Sequence, residues 1–145
     1  MAIYFTHNQY LKAAEEDFEA AEIIFGHKYY DQVASLCALA MTKYLKGILE
    51  AIYPNSECVA QYSTEDKIVI LKKIKEKLPD IDISDEECHW MDKIYGKANC
   101  TDGIHVIMPK HTAVDAFKLT NKIRKMAKVY DKEAADKKLY TTVEL

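Results

Sequence analysis

Between positions 30 and 53 the chain reads YDQVASLCALAMTKYLKGILEAIY, and apolar side chains fill more of a helix's circumference than one neighbour could cover. Val33, Cys37, Ala40, Tyr44 and Ile48 recur at steps of three and four, so they share one face. Leu36, Met41, Leu45, Leu49 and Ile52 widen that face. A helix apolar over so wide an arc must sit at the centre of its fold, packed by several others. Pro54, just beyond, ends it. This one segment demands an all-α bundle.

The other elements follow from the same periodicity. A first helix is expected over about 8–25, with Leu11, Ala14, Phe18, Ala21 and Phe25 on one face and Gly26 as its C-cap. Glu15, Glu16, Asp17 and Glu19 are read as a solvated acidic surface. Ser63, with Asp66 three residues on, is expected to open a third helix that buries Ile68, Leu71, Ile74 and Leu78 and stops at Pro79. Lys72, Lys73, Lys75 and Lys77 give it a basic run, taken as a solvated face in preference to a phosphate contact. Ser84 or Asp85 caps a fourth helix that carries Trp90, Met91 and Ile94 and fades near Gly96. Positions 97–110, KANCTDGIHVIMPK, are the least regular, with a turn at Thr101, Asp102 and Gly103. A last helix runs from about Thr112 past Tyr130, and the polar tail DKEAADKKLYTTVEL is expected to fray. The expectation is a single domain over 1–145, an up-and-down bundle of four to five helices ordered over about 8–132.

Charge and motif content narrow the function. The net charge of −3 leaves no broad basic footprint of the kind that drives non-specific nucleic-acid binding. No apolar run nears the ~20 residues that span a bilayer, and the first 18 residues lack the apolar core of a secretory signal, so a cytoplasmic protein is expected. The four glycines are scattered, so none builds a phosphate loop. Of the four cysteines none forms a CxxC pair, and free thiols are expected. Cys88, His89, Cys100 and His105, with Cys58 as a remote further candidate, match no common zinc spacing, so neither a resident metal nor a cofactor is expected. His7, His27, His89 and His111 each stand without an evident partner and are read as structural or solvated.

Taken together, the elements resemble the HEPN domains. The resemblance rests on Phe18, Ala21 and Ile24, on the turn residues Tyr30 and Asp31, and on Ala34, Ala38, Ala40, Lys43, Leu45 and Lys46 in the long helix. It continues through Thr64, Leu71 and Leu78, then Tyr95, then Ala113 and Ala116, and so covers about 10–130. It implies a homodimer, and it places ligand or partner binding on Tyr95, Lys46 and Tyr30. It further implies companionship with a small nucleotidyltransferase, in a toxin–antitoxin-like pair. Many members of the family are metal-independent ribonucleases. Their motif is an Arg followed, four to six residues later, by a His, and two copies form one composite site. The Arg would fork onto the scissile phosphate with a charge that never titrates. The His would move protons near neutral pH while the ribose hydroxyl attacks.

This chain departs from that pattern. Aligned on Tyr95, Asn99 stands where the Arg is expected, and five residues separate it from His105. Lys97 carries a charge nearby but no planar fork. The one arginine, Arg124, falls in the last helix, where an interhelical or surface ion pair is expected. The leading reading is therefore a non-catalytic HEPN-like dimer that binds a nucleotide, an RNA or a protein partner. A divergent ribonuclease using Lys97, Asn99 and His105 is the alternative, and an unrelated helical scaffold the second. An apolar surplus on Tyr29, Tyr30, Tyr53, Trp90, Ile104, Val106 and Ile107 supports the dimer expectation.

Overall fold

In the computed structural model the described residues are 7–53, 66–98 and 108–143, with side chains described for 8–53, 66–96 and 108–130. Five helices are described: α1 (His7–Gly26), α2 (Tyr30–Ile52), α3 (Lys67–Lys77), α4 (Asp85–Ala98) and α5 (Lys110–Val143). No strand occurs among the described residues. The side chains of α2 explain the layout. Val33, Ala34, Cys37, Ala38, Ala40, Met41, Tyr44, Leu45, Ile48 and Leu49 are all fully buried, and α2 touches every other helix. The circumferential apolar pattern thus reports a central helix, as the physics of burial requires.

Two antiparallel hairpins, α1–α2 and α3–α4, pack around this axis, and α5 closes the bundle against α1 and α2. Phe18 anchors the junction of three helices. Its ring lies 4.6 Å from that of Phe117 on α5 and 6.5 Å, edge to face, from that of Tyr44 on α2. Each such aromatic pair adds roughly 0.5–1.5 kcal/mol beyond area burial. Small residues let the axes approach: Ala14 and Ala21 on α1, Ala113, Ala116 and Ala127 on α5 are buried. Thr120 is the buried polar exception. Its hydroxyl donates to its own helix at Ala116 O (2.8 Å) and leans on Cys37 O (3.3 Å), so no donor is stranded.

The helix ends correct the sequence reading in two places. The left-handed residue after α1 is Lys28, at φ 64°, while Gly26 is the last residue of the helix itself. The N-cap of α3 is Asp66, whose carboxylate accepts from Ile68 N at 3.1 Å. Its extended backbone starts the helix there, and Ser63 lies outside the described residues. At α4, Ser84 does cap. Ser84 Oγ accepts from Glu87 N (3.1 Å) and Glu87 accepts from Ser84 N (2.9 Å), a reciprocal capping box. The last helix runs helical to Val143, further than its polar composition suggests.

In the basic run of α3, Lys72 is exposed as a solvated face would have it, while the other three lysines make contacts. Lys73 pairs with Glu76, Lys75 with Asp85, and the ammonium groups of Lys73 and Lys77 lie over the Tyr53 ring at 5.1 and 4.2 Å. Lys77 also donates to Ile52 O at 3.1 Å, tying the end of α3 to the end of α2. The acidic reading of α1 fails for two of its four residues. Glu15 and Asp17 are half-buried and bind across helix contacts, Asp17 to Lys43 and Glu15 to Tyr44 and Arg124.

Candidate functional site

The motif expected after Tyr95 directs attention to the C-terminal end of α4. Asn99 and His105 lie outside the described residues. Lys97 is in the last turn of α4, outside the described side chains. What is described is the support beneath them. Tyr95 is half-buried, with the ammonium of Lys67 5.9 Å from its ring centroid. Lys67 is only 2% exposed. It meets one carboxylate twice: its Nζ donates to Asp92 Oδ1 at 2.8 Å and its backbone N to Oδ2 at 3.3 Å. A charge buried this deeply stays folded only with such a partner. The first residue of α3 is thereby bolted to α4 one turn before Tyr95.

Cys88 lies one turn earlier on α4, fully buried. Burial first, and the neighbouring Asp92 charge second, push its thiol up to about 12. Burial likewise pushes Cys37 up to about 12. Neither is a thiolate nucleophile near neutral pH. Glu86 and His89 stand three apart on α4, a spacing used in carboxylate metal sites, but both are exposed. Among the described residues no group of three His, Cys, Asp or Glu side chains could hold a metal ion.

Tyr30 approaches the same end of α4 from another side. It packs on Phe25 (5.8 Å between rings) and joins Trp90 against Ala34, Ile94 and Met108. α2 thus meets this end of α4 through Tyr30 at Ile94, and α3 meets it through Lys67 at Tyr95. Lys46 is not with them. It sits 16 residues from Tyr30 along one helix, ~24 Å at 1.5 Å per residue. There it lines a cleft of about 480 Å³ with Tyr10, Lys12, Glu16 and Lys43. Asp17 holds Lys43 at 2.5 Å and Glu16 shares the cleft, so little net positive charge remains to draw a phosphate.

The only guanidinium is committed elsewhere. Arg124 forks onto Glu15, Nε to Oε1 at 2.7 Å and Nη2 to Oε2 at 3.3 Å, with its own plane 5.3 Å from the Phe18 ring. Tyr44 donates to the same carboxylate at 2.8 Å, and Lys128 adds its charge at 3.6 Å. Burial alone would raise the Glu15 carboxyl, but the hydrogen bonds from Arg124 and Tyr44 and the two cationic charges outweigh it and hold it below the usual value. Burial and the Glu15 contact raise the Tyr44 phenol, so it stays a donor. This level of the bundle is ten residues along α2 from Ala34, which packs on Ile94, ~15 Å of helix. Arg124 is an interhelical ion pair and does not reach the end of α4.

Sequence reasoning singled out Tyr95 but missed Lys67 and Asp92. A lysine at the first position of a helix carries no sign of burial, and its partner lies 25 residues on. The weak signal was an Asp on an otherwise apolar flank of α4, between Met91 and Ile94.

The HEPN domain family model matches residues 7–132. The chain belongs to the HEPN domain family, and the unrelated-scaffold reading falls. No curated protein and no solved structure gives a significant match. Among the described residues no helix is long and apolar enough to cross a membrane.

Proposed function

We propose that this chain is a non-catalytic HEPN protein: a cytoplasmic homodimer that holds a nucleotide, an RNA or a companion small nucleotidyltransferase without cutting RNA. One observation carries the reading. The single arginine is spent on Glu15, ~15 Å along the bundle from the end of α4. Phosphate cleavage of the family's kind draws on a bidentate guanidinium, and Asn99 at the aligned position has no charge to give.

The arrangement at the end of α4 agrees with a binding role. Tyr95 and Tyr30 present rings at the end of α4, while Lys67 is fully engaged with Asp92 and is too buried to meet a ligand phosphate. Binding at Tyr95 would then rest on ring stacking and the polar groups around it, not on charge. A toxin–antitoxin-like pairing with a nucleotidyltransferase would use the same end of the bundle.

The test is a cleavage assay on labelled RNA with micromolar protein in a chelating buffer, comparing wild type with His105→Ala. The expected outcome is intact RNA in both. Cleavage by wild type that disappears in His105→Ala would overturn the proposal and favour a ribonuclease using Lys97, Asn99 and His105.

A further inference from the structure

At the end of the α1–α2 hairpin away from Tyr30 lies the cleft of about 480 Å³ that holds Lys46. Tyr10, Lys12, Ala13 and Glu16 line it from α1, and Lys43 and Lys46 from α2. Its volume falls in the range of small-molecule sites, ~300–1,000 Å³. It lies ~24 Å along α2 from Tyr30, so it stands apart from the end of α4.

Beside Tyr10 is a carboxylate that water barely reaches: Glu50 is 8% exposed. Burial first, and the Glu50 charge second, raise the Tyr10 phenol, so it stays a donor. The charges in and around the cleft cancel. Three ammonium groups, Lys12, Lys43 and Lys46, are matched by three carboxylates, Glu16, Asp17 and Glu50, with Asp17 holding Lys43. A bare anion or a bare cation is drawn by one set and repelled by the other. A molecule with one charge of each sign, a few bonds apart, gains from both.

We propose that this cleft is a binding site for a small zwitterion, an α-amino acid with an uncharged side chain, its carboxylate on Lys46 and Lys12 and its ammonium on Glu16. Lys12 and Glu16 are exposed and one turn apart on α1. Side chains so spaced have Cβ atoms about 5–6 Å apart, which lets both close on adjacent opposite charges. Lys46 is half-buried, so its stem is held. An ammonium carries three donors, so Lys46 can meet a carboxylate beside contacts within the protein. The half-buried ring of Tyr10 and the Ala13 methyl give the ligand's side chain an apolar floor. A charge on that side chain would upset the balance of the cleft.

The experiment titrates the full chain with leucine, phenylalanine, glutamine and serine at millimolar concentration, read by the backbone amide shifts of Tyr10, Glu16 and Lys46. Inorganic phosphate is run beside them, as are the N-acetyl and C-terminal amide forms of the amino acid that binds most tightly. At least one of the four is expected to saturate, and phosphate not to bind. Removing either charge of the ligand is expected to weaken binding about tenfold or more, the scale of a charge-assisted hydrogen bond. Glu16→Gln should weaken the free amino acid and leave its N-acetyl form, which has no ammonium, unchanged. Lys12→Met should weaken the free amino acid and leave the amide form unchanged. Both positions are exposed, and circular dichroism checks that each variant keeps its helix content. No saturation by any of the four overturns the site. So does binding that neither variant alters, or phosphate binding tighter than every amino acid.

Discussion

Arg124 and Glu15 lock α5 to α1 through a forked ion pair that also receives the Tyr44 hydroxyl from α2. Both partners are about one-quarter exposed, so water screens the pair only in part. Arg124→Met removes the fork and leaves a half-buried carboxylate. A loss of about 2 kcal/mol is expected in urea unfolding, the scale of a charged hydrogen-bonded group left without its partner. Arg124→Lys should recover less than half, since an ammonium cannot make the planar fork. Full recovery by Lys would show that charge alone matters here.

The same carboxylate sets a pH dependence. Glu15 titrates below its ordinary 4.5 in the folded protein, because the Arg124 and Tyr44 hydrogen bonds outweigh the cost of burial. A folded value below the unfolded one means that the stabilisation is complete above about pH 5 and is lost as pH falls through the lower folded value. Glu87 behaves alike: burial opposes, but the Ser84 backbone bond and Lys122 prevail. Urea midpoints measured from pH 6 down to pH 3 should therefore fall. Glu15→Gln should start lower at pH 6 and fall less steeply. Parallel curves for the two proteins would remove Glu15 from the account.

Lys67 and Asp92 make a second test, because their exposures differ. Lys67 is 2% exposed and Asp92 28%. Removing the carboxylate strands the buried ammonium, so Asp92→Ala is expected to cost ~3 kcal/mol. Lys67→Met leaves a carboxylate that water can reach, so it should cost less. The double variant should lie above Asp92→Ala alone, a coupling readable from a thermodynamic cycle. Additive costs would mean that the pair does not act as a unit.

The α1–α2 turn can be probed residue by residue. A non-glycine in the left-handed region costs ~1–2 kcal/mol, and that residue is Lys28, at φ 64°. Lys28→Gly should raise the melting temperature relative to Lys28→Ala. Gly26 is helical with open space around it. Gly26→Ala should therefore be neutral or mildly stabilising, by up to about 0.5–1 kcal/mol. Destabilisation by Gly26→Ala would return the left-handed position to Gly26.

What the sequence discloses and what it hides divide along one line. The apolar pattern of Val33 to Ile52 can be read because burial repeats with the helix, so the central helix, its neighbours and the Ser84 cap are visible in one dimension. Glu15 cannot be read that way. Its partner lies 109 residues away, and an acid among acids is indistinguishable from a solvated surface until the helices are packed. Lys67 is hidden for the same reason, its burial being decided by Asp92 across the α3–α4 contact. At the candidate site, Tyr95 was legible by its place in the family pattern and the buried pair beneath it was not. Ser63 looked like a cap because Asp66 follows at capping-box spacing, yet Asp66 caps with its own side chain.

The central claim is that this HEPN chain lacks RNA cleavage because an uncharged Asn99 stands where the family places its arginine. The direct measurement is the rate of labelled-RNA cleavage in chelating buffer by wild type and by Asn99→Arg, side by side. The account predicts no cleavage by wild type and measurable cleavage by Asn99→Arg that His105→Ala removes. Equal cleavage by wild type and Asn99→Arg would contradict it.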